Sequence, residues 1–230
     1  MLFSKSISSL GNDVIFKNTP IKMVESLKFL GLIIDNKLSW KPHTVFISKL
    51  LSRNVGIINK LRWMFPVKVL LLLYLTLMLP YLNYGILAWG NSCKHQLEKL
   101  LIIQKRAMRI ICNSPRLAPS SLLFFKNKVL KVADLYHLRL GCLMFQANLQ
   151  ELPQALISMF TKNYGIHNYT TRQSSLFHLP RPRTNFTQKT LIYTGPIYWN
   201  LLDLNLKHSP SFHSFKRNLK FHLLNIYNVS

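Results

Sequence analysis

The spacing of hydrophobic and polar positions changes near residue 40 of this chain. Before that point, the short apolar runs VIF (14–16) and FLGLII (29–34) lie between Gly, Asn, Asp and Pro residues, a pattern that predicts short strands joined by turns. From residue 39 to residue 63, apolar residues recur at helical spacing. The sequence therefore predicts a small β segment followed by helices.

The most hydrophobic window, residues 67–89, has two interpretations. A membrane span needs about 20 mostly apolar residues, and this window has that length. However, Pro80 and Asn83 interrupt the run, and Lys68 lies just inside its start. Because Pro80 leaves only residues 69–79 as an uninterrupted apolar piece, buried helices are the favoured interpretation and a span is the alternative.

The segment from Lys94 to Asn113 predicts the clearest amphipathic helix. Its apolar residues fill one broad sector, and its basic residues share the remaining part of the helix surface. These basic residues are Lys99, Lys105, Arg106 and Arg109. A solvated face normally mixes charges, whereas only Glu98 opposes them here, so a phosphate-facing surface is favoured over a plain solvated face.

Further helices are predicted at 120–127 and 131–149, after a break at 115–119 that is a candidate subdomain boundary. The Ser209–Pro210 pair predicts the start of a final amphipathic helix that runs to Tyr227. Its apolar face comprises Phe212, Phe215, Leu219, Leu223 and Ile226, and its other faces carry Lys216, Arg217 and Lys220.

An irregular basic stretch at 161–190 has two interpretations. Its arginines could contact phosphates while its aromatic side chains stack on the bases of single-stranded RNA. Alternatively, the aromatic side chains hold a surface loop on the core. The arginines are Arg172, Arg181 and Arg183, and the aromatic residues are Tyr164, Tyr169, Phe177 and Phe186.

Charge is the strongest compositional feature of the chain. Its 230 residues include 30 Lys and Arg against 7 Asp and Glu, a formal net charge of +23. Nucleic acid is the partner that such an excess favours, with an anionic membrane surface as the alternative. Three cysteines without C-x-x-C spacing argue against a disulfide framework, and no signal peptide is predicted, so an intracellular location in the cytoplasm or nucleus is expected.

Reactive residues are sparse. No two of the acidic residues lie within four positions of each other, whereas two-metal phosphoryl transfer needs clustered carboxylates. No zinc-ligand spacing and no nucleotide-binding or hydrolase motif occurs. The sequence therefore predicts binding surfaces, with no catalytic residue, no metal site, no cofactor and no small-molecule substrate.

Several segments together resemble one family. They are KFLGLIIDNKLSW (28–40), LPYLNYGILAWG (79–90), LLIIQKRAMRIIC (100–112), FKNKVLKVADLYHLRLGCLMF (125–145), HNYTTR (167–172), TGPIYWNLL (194–202) and FKRNLKFHLL (215–224). In this order they are similar to the downstream half of reverse transcriptases from jockey-like non-LTR retrotransposons, the LINE class.

The resemblance implies a mainly α fold with a short β-hairpin remnant of a polymerase palm. Residues 1–40 would be the palm end with the primer-grip hairpin, 41–114 a thumb-like helical domain, and 115–230 a basic helical carboxyl-terminal region. In that family the KFLGLIID hairpin holds the primer end, which would assign this role to Phe29, Leu30 and Gly31. The alternative for Phe29 and Leu30 is ordinary strand core.

The resemblance also implies a function. The family's metal-binding aspartates lie upstream of the matching segments, so the expected product is a fragment of an RNA-directed DNA polymerase. Such a fragment would bind RNA or RNA–DNA duplex without polymerising alone, and Mg²⁺ is expected only for the complete polymerase. The alternatives are the tail of a longer active reverse transcriptase with a mis-assigned start, and a basic membrane-associated protein.

Overall fold

Two small antiparallel β-hairpins precede the helices in the computed structural model, which describes residues 15–17, 19–20, 24–166 and 172–229. β1 (Ile15–Phe16) pairs with β2 (Thr19–Pro20), and β3 (Ser26–Phe29) pairs with β4 (Leu32–Asp35). The FLGLII run therefore forms the hairpin that the resemblance implies, with Leu30 and Gly31, both at positive φ angles, in its turn. The expectations for residues 1–14 and for 167–171 lie outside the described residues.

Helices make up most of the rest, which confirms the mainly α fold class. The α-helices are α1 (Lys41–Leu61), α2 (Val67–Leu77), α3 (Leu79–Asn83), α4 (Ile86–Trp89), α5 (Lys94–Ile111), α6 (Ser121–Lys126), α7 (Val132–Asn148), α8 (Gln154–Ile157), α9 (Leu191–Leu201), α10 (Leu204–Lys207) and α11 (Phe212–Val229). Short 3-10 helices at Asn163–Gly165 and Thr187–Lys189 belong to the irregular stretch.

The hydrophobic window 67–89 forms the three separate helices α2, α3 and α4. Proline cannot donate a backbone hydrogen bond and favours the first helical turn, which explains why a new helix begins beside Pro80. Within the described part of the chain, no helix combines the length and the apolar character that crossing a bilayer requires.

One continuous core runs from α1 to α11. α1 packs along α5, and α7 packs against α4, α9 and α11. At its centre the rings of Phe145 and Phe215 stack with centroids 4.5 Å apart, next to the buried Trp199. Helices on both sides of residues 115–119 contribute to this core, and the division into domains at that point stays a prediction.

The final helix differs in detail from its prediction. It begins at Phe212 instead of Pro210, because the Ser211 hydroxyl accepts a hydrogen bond from the Ser214 N–H at 3.2 Å and caps the helix there. Ile226, expected on the apolar face, is 54% exposed, whereas the neighbouring Tyr227 is buried. The hydroxyl of Tyr227 donates to the Asp134 carboxylate, which joins this end of the helix to α7.

Candidate nucleic-acid interface

α5 presents the predicted basic surface on the side away from the core. Its apolar side packs on α1 and places Leu100, Met108 and Ile111 in the core. Lys99 and Arg106 are exposed, while Lys105 and Arg109 are half-buried. The four predicted residues therefore lie on one helix, but they do not have equal access to solvent.

Two of these residues meet arginines from other parts of the chain. Arg106 and Arg109 line an open cavity of about 810 Å³ together with Arg62, which follows α1, and Arg116, from the loop after α5. We call this cavity, defined by its four arginines, the arginine cavity. Ile102 belongs to its wall and is 63% exposed, although it is apolar and lies between the basic residues of α5.

Lys105 lies near a different basic residue, Lys131, at the start of α7. Partial burial lowers the pKa of Lys131, and repulsion from Lys105 lowers it further, while the nearby Asp134 carboxylate opposes both effects. The Lys131 ammonium group lies 4.1 Å from the ring centroid of Tyr227 and donates to the Ser121 hydroxyl at 3.2 Å. Lys105 is therefore directed toward the α6–α7 side of the molecule.

The basic residues of α11 also divide into two groups. Lys220 lies near both Lys128 and Lys216, and partial burial, together with repulsion from these two lysines, lowers the pKa of Lys220. Arg217 instead lines a shallow depression beside Asp203. Lysines this close to one another mark a region of positive potential.

The arginines of the irregular stretch are all exposed. Arg172, Arg181 and Arg183 form no hydrogen bond or ion pair with a described residue. The aromatic residues beside them separate into two kinds, because Tyr164 and Phe186 are exposed but Phe177 is buried.

Phe177 therefore cannot serve as a base-stacking platform, contrary to the first interpretation of this stretch. Its ring packs at 6.3 Å from Phe160 and 6.4 Å from Trp199, centroid to centroid. The Asn200 side chain also accepts from the Phe177 N–H and donates to its carbonyl oxygen. This aromatic residue holds the loop on the core, while Tyr169 lies outside the described residues.

The β3–β4 hairpin presents its tip to solvent. Phe29 is 56% exposed and Leu30 is 74% exposed, so neither belongs to the core. Gly31 has a φ angle of 80°, which glycine adopts without steric cost. A Cβ atom at Gly31 would lie 3.2 Å from the Tyr84 ring, so a larger residue would crowd that ring.

Three contacts fix this hairpin to the helices. The Tyr84 hydroxyl donates to the Leu30 carbonyl at the tip. The Ile33 N–H donates to Nδ1 of the buried His43, at 3.3 Å. The Asp35 carboxylate accepts from the N–H groups of Ser39 and Trp40 at 3.0 and 2.9 Å, where the chain enters α1. The exposed tip is thereby held at a defined place on the bundle.

Two of the acidic side chains in the described residues serve local structure. Asp35 organises the entry to α1, and Asp134 accepts from Tyr227 and lies 3.9 Å from His137. Within 24–166 and 172–229, no Lys or Arg nitrogen lies within 4.0 Å of a carboxylate oxygen. The same residues bring together no group of three His, Cys, Asp or Glu side chains that could hold a metal ion.

Several residues of the candidate interface and of the hairpin attachment were not predicted from the sequence. Arg62 and Arg116 lie more than 50 residues apart along the chain. Arg116 follows α5 directly in the sequence, and only the fold brings Arg62 beside it. The Arg62–Trp63 pair offered a weak signal, since arginine commonly stacks on tryptophan, and here the guanidinium lies 4.3 Å from the indole centroid. Tyr84 and His43 gave no signal, because their roles depend on the position of the hairpin.

Comparison with known proteins gives three relatives, all from Drosophila melanogaster. The chain is 26% identical over 117 residues to a probable RNA-directed DNA polymerase from transposon BS, a stretch that covers 48% of this chain. It is 27% identical over 101 residues to the RNA-directed DNA polymerase from mobile element jockey, covering 41% of this chain. It is 25% identical over 104 residues to a probable RNA-directed DNA polymerase from transposon X-element, covering 43% of this chain.

The chain spans only 11 to 13% of the length of these relatives. No family model matches it, and no solved structure matches it. The resemblance predicted from the sequence is nevertheless confirmed by all three relatives. Over a little under half of its length, this chain is similar to the RNA-directed DNA polymerases of jockey-like non-LTR retrotransposons.

Proposed function

We propose that this chain is part of the RNA-directed DNA polymerase of a non-LTR retrotransposon and that it binds RNA or RNA–DNA duplex through the phosphate backbone. Its role would be to hold the nucleic acid: the β3–β4 hairpin as a primer-grip-like element, and α1 to α5 as a thumb-like unit. Three relatives that are RNA-directed DNA polymerases support the polymerase part of this proposal.

One observation supports the proposed binding of nucleic acid. Apart from Lys17, no described lysine or arginine has a nitrogen within 4.0 Å of a carboxylate oxygen. Unpaired cations leave a surface potential that attracts a polyanion and releases its counterions on contact. Backbone contacts of this kind position a duplex without reading its sequence. On α5, Lys99 and Arg106 have the exposure needed to reach phosphates.

A second support comes from the tip of the hairpin. Phe29 and Leu30 are exposed apolar residues on a turn that Tyr84 holds in place. An apolar tip of this kind can pack against the sugar and base of a strand end, whereas ordinary strand core would be buried. We therefore retain Phe29, Leu30 and Gly31 as the candidate primer contacts.

We expect the affinity of the chain for RNA–DNA duplex to fall steeply with salt. If four phosphates are contacted, raising the salt concentration from 50 to 200 mM weakens binding about a hundredfold, because each contact contributes roughly 0.9 to the log–log slope. Fluorescence anisotropy with a labelled duplex, an RNA hairpin and a single strand measures this. Binding that is absent at low salt, or that is insensitive to salt, would contradict the proposal.

We expect the 230-residue chain alone not to extend a primer, because its described residues bring together no group of three His, Cys, Asp or Glu side chains. Two-metal phosphoryl transfer needs carboxylates that hold both ions together. A primer-extension assay with template, labelled primer, deoxynucleotides and Mg²⁺ tests this, with a retroviral reverse transcriptase as the positive control. Incorporation of deoxynucleotides above background would contradict the expectation that this chain alone does not extend a primer.

A further inference from the structure

The arginine cavity concentrates more positive charge than a backbone contact requires. Arg106 and Arg109 reach it from the carboxyl-terminal half of α5, Arg62 from the end of α1, and Arg116 from the following loop. No Asp or Glu lines the cavity, and none of these arginines pairs with a described carboxylate. Four like charges around one space repel each other unless an anion is shared between them.

The cavity is partly organised before any ligand arrives. The Arg62 guanidinium lies 4.3 Å from the Trp63 ring centroid, and its Nε is shielded from solvent without a hydrogen-bond partner. Nε of Arg109 donates to the Ala118 carbonyl at 2.9 Å, which leaves its two terminal nitrogens available. Holding the guanidinium groups beforehand reduces the side-chain entropy that binding would cost.

The charge of the site selects the type of anion. A backbone phosphodiester carries one negative charge, whereas a terminal phosphate carries roughly two at neutral pH and has three strong acceptor oxygens. Guanidinium groups bind such oxygens in bidentate fashion. Four arginines around one cavity therefore suit a terminal phosphate better than a passing diester.

The walls of the cavity indicate what the phosphate is attached to. Ile102 is 63% exposed and Leu117 is 92% exposed, and both line the space beside the arginines. Apolar surface next to a few convergent charged groups is typical of a small-molecule site. The volume of about 810 Å³ leaves room for a sugar and a base as well as the phosphate.

We propose that the arginine cavity binds the terminal phosphate of a nucleotide, with the sugar or base against Ile102 and Leu117. This proposal rests on the proposed function in taking nucleic acid as the source of the ligand. The same chemistry is offered by a free mononucleotide and by the 5′-phosphorylated end of a strand. The two sources are distinguished by the experiment below.

The test compares two 12-nucleotide RNAs of one sequence, one with a 5′-phosphate and one with a 5′-hydroxyl, by anisotropy at fixed salt. We expect the phosphorylated RNA to bind at least about tenfold more tightly, the effect of roughly one net charge-assisted hydrogen bond. Calorimetric titration with AMP provides the second arm. Tight binding of AMP identifies the free nucleotide as sufficient, and binding only of the phosphorylated RNA identifies the strand end.

Paired variants locate the effect. Arg62→Gln combined with Arg116→Gln removes two cavity charges and is expected to abolish the preference for the 5′-phosphate. Lys49→Gln combined with Arg53→Gln removes two exposed charges of α1 that do not line the cavity, and should retain the preference. Arg116→Gln alone changes an exposed loop position and should not disturb folding. It is therefore expected to reduce the preference for the 5′-phosphate even if the double variant folds poorly.

Failure of this inference is distinguishable from failure of the proposed function. Salt-sensitive binding of both RNAs with equal affinity, and no binding of AMP, would overturn the cavity assignment and leave the proposed function standing. A 5′-phosphate preference that persists in the Arg62→Gln/Arg116→Gln chain would also overturn it. Arginine-dependent binding of AMP without binding of any RNA would support the cavity and contradict the proposed function.

Discussion

Replacing Gln104 with leucine is expected to lower the free energy of unfolding by about 2 to 4 kcal/mol. Gln104 is completely buried on α5, and its side chain joins three elements. Its Nε2 donates to the Tyr74 hydroxyl oxygen at 2.8 Å, and its Oε1 accepts from the Val132 N–H at 2.8 Å. Leucine has a similar size but provides neither group.

The size of this effect follows from the position of Val132. It is the first residue of α7, where the N–H has no partner inside its own helix. Without the Gln104 carbonyl that donor is buried and unsatisfied, and the Tyr74 oxygen loses a donor as well. Each such group costs about 1 to 3 kcal/mol.

Chemical denaturation of a small variant set tests this prediction. Tyr74→Phe combined with Gln104→Leu should cost less than the sum of the two single changes, because both members of one hydrogen bond are then removed. Gln146→Leu is the matched control, since this half-buried side chain makes no hydrogen bond with a described residue. If Gln104→Leu and Gln146→Leu are equally stable, the assigned role of Gln104 is wrong.

Acid is expected to destabilise the protein through His43, by up to about 3 kcal/mol between pH 6.5 and pH 4. Burial lowers the pKa of His43 to about 4. Between this value and the unfolded-state pKa of 6.5, the unfolded chain binds a proton at His43 that the folded chain does not. The free energy of unfolding therefore falls as the pH falls through this window and is unaffected by His43 above it.

The environment of His43 explains why it stays neutral. Its ring packs edge-on against Trp40 and Trp89, and its Nδ1 accepts from the Ile33 N–H. A proton on Nδ1 would remove that acceptor and release the β3–β4 hairpin from α1. Protonation of His43 would therefore place a charge in a buried site and would also break the contact that attaches the hairpin.

The variant His43→Asn separates this effect from other acid-sensitive groups. Its amide oxygen can replace Nδ1 as an acceptor but does not titrate, so the loss of stability between pH 6.5 and 4 should be smaller than in the unchanged chain. His213→Asn, at an exposed position of α11, serves as the control. Parallel stability profiles for the unchanged chain and His43→Asn would contradict the assignment.

The helices were predictable because their periodicity is local. α1, α5, α6 and α7 begin and end within a few residues of the predicted positions, and Pro80 correctly indicated the division of 67–89. Each of these signals depends on residues that are neighbours along the chain. Amphipathic spacing and helix-breaking residues act at that range, so tertiary structure did not override them.

Features that depend on contacts distant in sequence were not predictable in the same way. The FLGLII run alone satisfies a strand pattern, and its hairpin was expected only from the family resemblance, because a positive φ angle at a leucine such as Leu30 is uncommon. Gln104 is polar, yet it is buried because Tyr74 and Val132 satisfy its side-chain amide. Phe177 lies in a basic loop, yet it packs in the core. Burial of such residues is decided by what the fold places opposite them.

The candidate interface shows the same division. The basic sector of α5 followed from helical geometry, and Arg106 and Arg109 are indeed neighbours there. Lys105 diverges toward Lys131, and the α11 residues Lys216 and Arg217 face different surroundings. Charge indicated nucleic acid as the partner class, but only the arrangement of helices indicates which cations can act together.

The most direct test of phosphate contact by α5 compares two variants of equal charge. For each variant, the slope of the logarithm of duplex affinity against the logarithm of salt concentration is measured. Lys99→Gln combined with Arg106→Gln removes exposed cations of α5, and Lys49→Gln combined with Arg53→Gln removes exposed cations of α1. The RNA–DNA duplex carries 5′-hydroxyl ends, so that binding of a terminal phosphate does not contribute. The log–log slope is measured by anisotropy from 50 to 200 mM salt.

We predict that the α5 variant reduces the magnitude of this slope by about 2, since each lost phosphate contact removes roughly 0.9. The α1 variant should keep the slope of the unchanged chain. Equal slopes in the two variants would show that the charge of the whole molecule, and not the face of α5, attracts the duplex. That result would contradict the central claim.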